Sequence, residues 1–358
     1  MSLGTVHLSF THAEPPGHLR FLGSEATNNC DFQENEVNRT SIRWAALPGA
    51  ALLTLTLAAC GSGADAGSDS GSGSGGASGT VAVDGSSTVF PMSNAAYELL
   101  SEENPDIKVT VGSSGTGGGF EKFCAGETDI SDASRPIKDD EEVPTCEKNS
   151  IEFTELQVAT DALTVVVNKD LEGVDCLTTD QLVKLWGPGS KVTNWKQLDP
   201  KFPDQKIALF GPGADSGTYD YMAADVIGHE SEKTRDDYEA SEDDNVLVQG
   251  VEGTEGGTGY FGYTYYEENA DNLKALAIDD GKGCVEPSAE TAQAGEYTPL
   301  ARPLFIYVAN KAYTDNEAVK AYTDFYIENL ETIAEAAKFI PLNEEDYGKT
   351  KSTLESIS

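Results

Sequence analysis

Three short segments of this chain share one local design: a β-prone run, a turn of small hydroxyl and glycine residues, then a helix-prone run. They are Ser86-Ser87-Thr88-Val89, Ser113-Ser114-Gly115-Thr116-Gly117-Gly118-Gly119 and Asp215-Ser216-Gly217-Thr218. Repetition of strand, turn and helix restricts the chain to an α/β fold. The same turns carry chemistry. Glycine lets a backbone or a ligand come close. A helix N-terminus offers free N–H groups and about half a positive charge. Ser and Thr add hydroxyl donors, and the combination suits phosphate or a similar oxyanion. One such turn is usually only a helix cap; three in one chain point to a shared ligand. The run 115–119 does not complete a dinucleotide fingerprint, because Phe120 stands where the last glycine would fall, so no cofactor is implied.

The rest of the pattern agrees. Residues 81–83, 107–111, 129–130, 163–168, 207–210, 259–263 and 303–308 read as strands, and 93–102, 179–186 and 317–337 as helices. Helices are also predicted to start at Phe120 and to run from the third turn toward Ile227, and the sheets to be largely parallel.

Charge and residue counts exclude much. The chain has 358 residues, with Asp+Glu 61 against Lys+Arg 24 and a formal net charge of -37. Nucleic acid, which needs clustered cations, is excluded as a partner, and an anionic membrane surface is disfavoured. A small anion is not excluded, because salt screens the global field over roughly 8–10 Å. No Cys-x-x-Cys, His-Glu-x-x-His, Gly-x-Ser-x-Gly or P-loop occurs. After Cys60 the only histidine is His229, in a polar stretch that reads as surface. Metal sites and histidine-based hydrolysis are therefore poorly supplied, and the expectation is a binding protein rather than an enzyme.

The N-terminal region reads as an address. Arg39 and Arg43 precede an uncharged run, 44–59, that ends Leu57-Ala58-Ala59-Cys60. The run is short of the roughly 20 residues a spanning helix needs and has the layout of a secretory signal. Leu-Ala-Ala-Cys resembles a lipobox, which makes Cys60 the lipidation site and lipid the anchor. Residues 1–38 lie upstream of the charged segment, and initiation is expected near Val37. Residues 61–80 contain eight Gly and six Ser, a flexible tether. Cys124, Cys146, Cys176 and Cys284 remain, an even number in an exported chain, which reads as two disulfides. Of three possible pairings, Cys124–Cys146 closes a short loop and is favoured, with Cys176–Cys284.

Six stretches match a family: DGSSTVFP (84–91), GTGGGFEKFCAGETDISDASRPI (115–137), LTTDQLVKLW (177–186), GPGADSGTYDY (211–221), GYFGYTYY (259–266) and PLARPLFIYV (299–308). They spread over nearly all of residues 81–345. On these motifs the chain resembles the phosphate-binding lipoproteins of bacterial phosphate ABC transporters. The resemblance implies a class II periplasmic-binding-protein fold: two α/β lobes, two hinge strands and inorganic phosphate in the interlobe cleft. Lobe 1 would be 81–162 plus 302–358 and lobe 2 163–301, after a leader and signal at 1–59 and the lipidated tether at 60–80. The protein would act as a monomer, anchored on the outer face of the cytoplasmic membrane, and deliver phosphate to a membrane permease.

Carried over by motif, Ser87, Thr88 and the Val89 amide match the first binding turn, Ser114 or Thr116 the second, and Ser216, Gly217 and Thr218 the third. The chain also departs from the best-known branch of the family. That branch has an Asp at the place of Ser134 and an Arg close before the third turn, where this chain has Pro212 and Gly213. Arg135 is expected to supply the guanidinium instead, with Asp215 orienting it. Either Asp132 or Asp215 is expected to accept the phosphate proton and so to reject sulfate, with Asp132 favoured as the acceptor. Rival readings are a binder of sulfate or molybdate, an enzyme of phosphate chemistry, and a sensing lipoprotein.

Overall fold

The computed structural model describes residues 77–228 and 233–357. The leader, Cys60, the tether up to residue 76, and His229 lie outside those residues.

One long mixed sheet organises the chain. Its strands are β1 (Gly79–Gly85), β2 (Ile107–Val111), β3 (Ile130–Ala133), β4 (Phe153–Asn168), β6 (Ala208–Gly211), β7 (Glu239–Ala240), β8 (Gly257–Gly262), β9 (Leu273–Ala275) and β12 (Ala301–Ala309). A smaller sheet holds β5 (Cys176–Thr178), β10 (Ala277–Asp279) and β11 (Cys284–Val285). The long sheet runs β2-β1-β3-β12-β4-β8-β6-β7, with β9 also on β4. The expectation of largely parallel sheets holds only at its two ends. There β1 lies parallel to β2 and β3, and β6 parallel to β7 and β8. Through the middle, β12 and β4 run antiparallel to each other and to their outer neighbours. The cause is β4: it pairs with β12 over residues 153–162 and then with β8 over 163–167. One strand thus leaves the first lobe and enters the second, and β12 returns beside it.

The hydrophobic pattern follows this division. In β12, Leu304, Ile306 and Val308 face one core with Val81, Val83, Met92 and Leu156. The alternate residues Phe305 and Tyr307 face Phe120, Phe123 and the Cys124–Cys146 pair on the other side of the sheet. A separate core gathers Leu163, Val165, Leu182, Trp186, Trp195 and Tyr260. Period-two alternation thus gives the sheet two buried faces.

Helices α1 (Phe90–Glu103), α2 (Gly115–Cys124), α3 (Val143–Lys148), α4 (Thr179–Trp186) and α5 (Gly217–Tyr221) cover these faces near the turns. Thr178 caps α4 in a reciprocal capping box with Gln181. Other boundaries differ from expectation. β1 starts at Gly79, inside the presumed tether, because Gly79 pairs with Ile107 of β2. α2 starts at Gly115, so the glycines predicted as a turn are helical. The reason is close packing: a Cβ on Gly119 would lie 2.5 Å from the Gly85 Cα of β1. The helix after the third turn passes into a π-helical segment, Met222–Ile227. The predicted helix 317–337 breaks at Asn329 into Glu317–Glu328 and Leu330–Ala336. A last helix, Glu344–Glu355, was not predicted; its sequence has little apolar periodicity.

Both expected disulfides are formed. Cys124–Cys146 joins α2 to α3 across 22 residues, and Cys176–Cys284 joins β5 to β11 across 108. Non-reducing peptide mapping of the exported protein should recover these two pairs, and removing either should cost about 2–4 kcal/mol of stability. Four free thiols would refute the pairing.

Asp132 shares the face of β3 with Ile130, toward α1 and the tyrosines of Glu317–Glu328. It is 0% exposed; one carboxylate oxygen accepts from the Ser93 hydroxyl at 2.8 Å, and the other has no partner among the described residues. Burial pushes this carboxyl up to about 8, with the charge of Asp84 adding to the rise and the Ser93 bond opposing it. The unfolded carboxyl titrates near 3.8. Between those values the folded chain keeps a proton that the unfolded chain has released. Stability therefore falls as pH rises through the window, by up to about 1.4 kcal/mol per pH unit. Asp132→Asn, neutral throughout, should raise the melting temperature at about pH 8 and flatten its decline from about pH 5. A slope equal to that of wild type would mean that the buried carboxyl is ionised across the range.

Candidate functional site

The first two turns open on one cleft. The Ser86 amide is held by the Asp132 carbonyl at 2.9 Å, which fixes the end of β1 against β3. α1 then begins with Val89 as its N-cap, with proline in its first turn, no side-chain cap and no acidic residue. α2 begins after Ser114, likewise with no side-chain cap and no acid in its first turn. Neither helix start has a side-chain cap, and both present partial positive charge. In α1 the Phe90 and Met92 amides are taken by the Ser86 and Val89 carbonyls and Pro91 has no N–H, so the free first-turn amides are those of α2. The third turn is different: the Ser216 side chain caps its own helix by accepting from the Thr218 amide at 3.2 Å. Its glycine meets the first turn directly. A Cβ on Gly217 would lie 2.8 Å from Thr88 Oγ1, so the absence of a side chain lets the two lobes touch there.

The cleft is a cavity of about 330 Å³ lined by Ser86, Ser87 and Thr88, by Gly115, Thr116 and Gly117, by Ser134 and Arg135, and by Asp220, Tyr221, Ala224, Asp225 and Arg302. Of the residues expected from sequence, it brings together Ser87, Thr88, Thr116, Ser134 and Arg135. Thr116 Oγ1 lies 3.0 Å from Ser134 Oγ and accepts the Ser134 amide at 3.2 Å. Val89 lies behind, fully buried at the start of α1.

The other expected residues are placed elsewhere. Ser114 does not line the cleft, because its amide and hydroxyl both donate to Asp84 of β1. Thr116 is thus the member of that pair that reaches it. Ser216, Gly217 and Thr218 form the capped turn at its edge. Asp132 is not among the lining residues, because strand alternation turns its side chain into the core. Asp215 is exposed and forms no hydrogen bond or ion pair with Arg135; the carboxylate that grips Arg135 is Glu142, at 2.7 and 2.9 Å. Both expected carboxylate roles are corrected accordingly.

The residue missed from sequence is Arg302, on β12. Its Nε donates to Asp161 of β4 at 3.2 Å, its Nη1 to Asp225 at 3.0 Å and its Nη2 to the Thr88 hydroxyl at 3.0 Å. The guanidinium lies 3.6 Å from the Tyr221 ring centroid, a stacked cation–π arrangement. Tyr221 is in turn fixed by its hydroxyl, which donates to the Pro299 carbonyl at 2.6 Å. Burial pushes the Asp161 carboxyl above its usual value, while the charge and hydrogen bond of Arg302 pull the other way. A signal was present: an arginine inside the apolar run PLARPLFIYV has little reason to be there unless its charge is used. Asp220 and Asp225 supply carboxylates at the cleft, and the Ser87 hydroxyl donates to Asp220 at 3.5 Å. Among the described residues no group of three or more His, Cys, Asp or Glu is placed to hold a metal.

Comparison with known proteins places this geometry. A model of the PBP superfamily domain matches residues 70–329. The chain is 48% identical over 270 residues to Protein SphX of Synechococcus elongatus, covering 75% of this chain and 79% of that protein. It is 42% identical over 310 residues to the phosphate-binding protein PstS of Staphylococcus saprophyticus, covering 86% of this chain and 92% of that protein. A solved structure, that of a possible phosphate binding protein from Planctomyces limnophilus, superposes with a TM-score of 0.74 at 44% identity, covering 78% of this chain and 99% of that one. With identity this high over most of its length, the chain belongs to the PBP superfamily and, within it, to the family of PstS and SphX.

Proposed function

We propose that the chain is the extracytoplasmic phosphate-binding component of an ABC transporter, which captures inorganic phosphate between two lobes and delivers it to a membrane permease. The observation that carries this reading is the convergence in one cleft of two uncapped helix starts, the hydroxyls of Ser87, Thr88, Thr116 and Ser134, and two guanidinium groups, Arg135 and Arg302. The helix dipoles favour an anion there, the α2 amides, the hydroxyls and the guanidinium groups can donate hydrogen bonds to its oxygens, and a guanidinium can fork onto two of them. The relatives named phosphate-binding support the choice of anion.

In this reading the lobes are 81–162 plus 302–358 and 163–301, joined by β4 and β12. Cys60 carries the lipid, the Gly/Ser tether spans from membrane to fold, and the protein works as a monomer outside the cytoplasmic membrane. It binds and releases without turnover, so it is not an enzyme. Selection of phosphate over sulfate falls to the carboxylates that line the cleft, Asp220 and Asp225. Near neutral pH phosphate still carries a proton that a carboxylate accepts, whereas sulfate presents only lone pairs and charge.

Calorimetry on the mature, ligand-stripped protein tests this directly. Inorganic phosphate should bind with one-to-one stoichiometry and sulfate should not compete at equal concentration. Tighter binding of sulfate or molybdate would transfer the reading to that anion, and hydrolysis of a phosphate ester would replace binding with catalysis. Removing one partner of a desolvated charged hydrogen bond costs about 2–5 kcal/mol, so Arg302→Ala should weaken phosphate binding by at least about 30-fold. Arg302→Lys keeps the charge but not the fork and should recover only part of that loss. Wild-type affinity in Arg302→Ala would remove Arg302 from the binding site.

A further inference from the structure

Arg135 leaves the end of β3 and lines the cleft, but what fixes its guanidinium lies on another element. Nη1 and Nη2 donate to Oε2 and Oε1 of Glu142 at 2.9 and 2.7 Å. Nη1 also donates to the Pro136 carbonyl at 3.0 Å, and the Phe120 ring of α2 lies 5.5 Å below. Glu142 is itself pinned: Oε2 accepts the Lys138 amide at 2.8 Å. It is the N-cap residue of α3, and its carbonyl accepts the Cys146 amide at 3.1 Å. Cys146 is bonded to Cys124, the last residue of α2, and the first turn of α2 is the one that opens on the cleft.

An exposed ion pair would contribute little. This one is forked, its carboxylate is only 15% exposed, and both partners are held by further bonds. Burial alone would raise the Glu142 carboxyl, but the Arg135 bonds and the Lys138 amide outweigh it and hold it below the usual carboxylate range.

We propose that Glu142, seated on a helix tied down by the Cys124–Cys146 bridge, positions the Arg135 guanidinium for the ligand, so that phosphate affinity depends on Glu142 and on that disulfide. The proposal rests on the phosphate reading of the cleft for its ligand, but not for the geometry it describes. Glu142 is a positioning residue: Arg135 meets the ligand, and Glu142 acts only through Arg135.

The test is a double-mutant cycle read by calorimetry with inorganic phosphate, together with a crystal structure of ligand-free Glu142→Ala. Glu142→Ala should weaken binding by about 10-fold in the wild-type background and have no further effect in Arg135→Ala, since a residue acting only through its partner is fully non-additive with it. Glu142→Gln, which keeps one acceptor oxygen, should fall between. Cys124→Ser/Cys146→Ser should reproduce the loss, again only when Arg135 is present. In the crystal the guanidinium should leave the Phe120 ring. Equal losses with and without Arg135, or a guanidinium unmoved in Glu142→Ala, would overturn the proposal. If wild type binds no phosphate, the functional reading fails, and the position of Arg135 in the Glu142→Ala crystal still decides this one.

Discussion

Arg302 joins the two strands that connect the lobes. Its Cα pairs in register with that of Asp161 across the β12–β4 ladder, and its guanidinium bonds the Asp161 carboxylate. From that shared position it reaches Thr88 on one side of the cleft and Asp225 and Tyr221 on the other. The first binding turn, the third-turn helix and both hinge strands are therefore referred to one planar group. Such a pair is costly to desolvate, and removing either partner leaves an uncompensated charge behind. The cation–π stack and the Thr88 bond complete the surroundings of a guanidinium that is only 13% exposed.

A chain of net charge -37 is an unpromising receptor for an anion. The cleft meets this locally, and not by accumulating positive charge. Arg302 faces Asp161 and Asp225, and Arg135 faces Glu142. Each cation is already matched, so in the proposed reading the attraction would rest on directed donors: hydroxyls, helix-start amides and the guanidinium N–H groups not used by carboxylates. Hydrogen-bond geometry discriminates among anions more sharply than net charge does.

Much of this architecture could be read from local patterns. Strand, turn and helix at each glycine-hydroxyl segment and the short Cys124–Cys146 loop are local signals, the even count of four cysteines is a compositional one, and the structure has them. What was misread depended on distant contacts. The glycines 115–119 looked like a turn because glycine disfavours helix, but tertiary packing of Gly119 on Gly85 overrides that preference. Asp132 looked like a cleft residue because it lies two residues before Ser134, yet it belongs to β3, whose alternation points it with Ile130 into the core, whereas Ser134 stands beyond the end of that strand. Glu142 lay outside every quoted motif, and Arg302 lay inside one without its partners being visible, because their roles arise from approach across 7 residues in one case and 214 in the other. The turn–helix motifs identified the kind of ligand; the partners of the two arginines could be found only in three dimensions.

Strand β4 has a consequence for how the molecule comes apart. Its 16 residues are continuous, with Leu156 and Val158 in one core and Leu163 and Val165 in the other. The boundary between lobes thus falls inside a strand, where Ala162 still pairs with β12 and Leu163 already pairs with β8. Melting either core strips the ladder from the other, so each lobe is the other's template. The stability of each half is therefore coupled to that of the other through one strand. A cut between Ala162 and Leu163 would divide one strand and leave each half with only part of the ladder that β4 forms with β12 and β8.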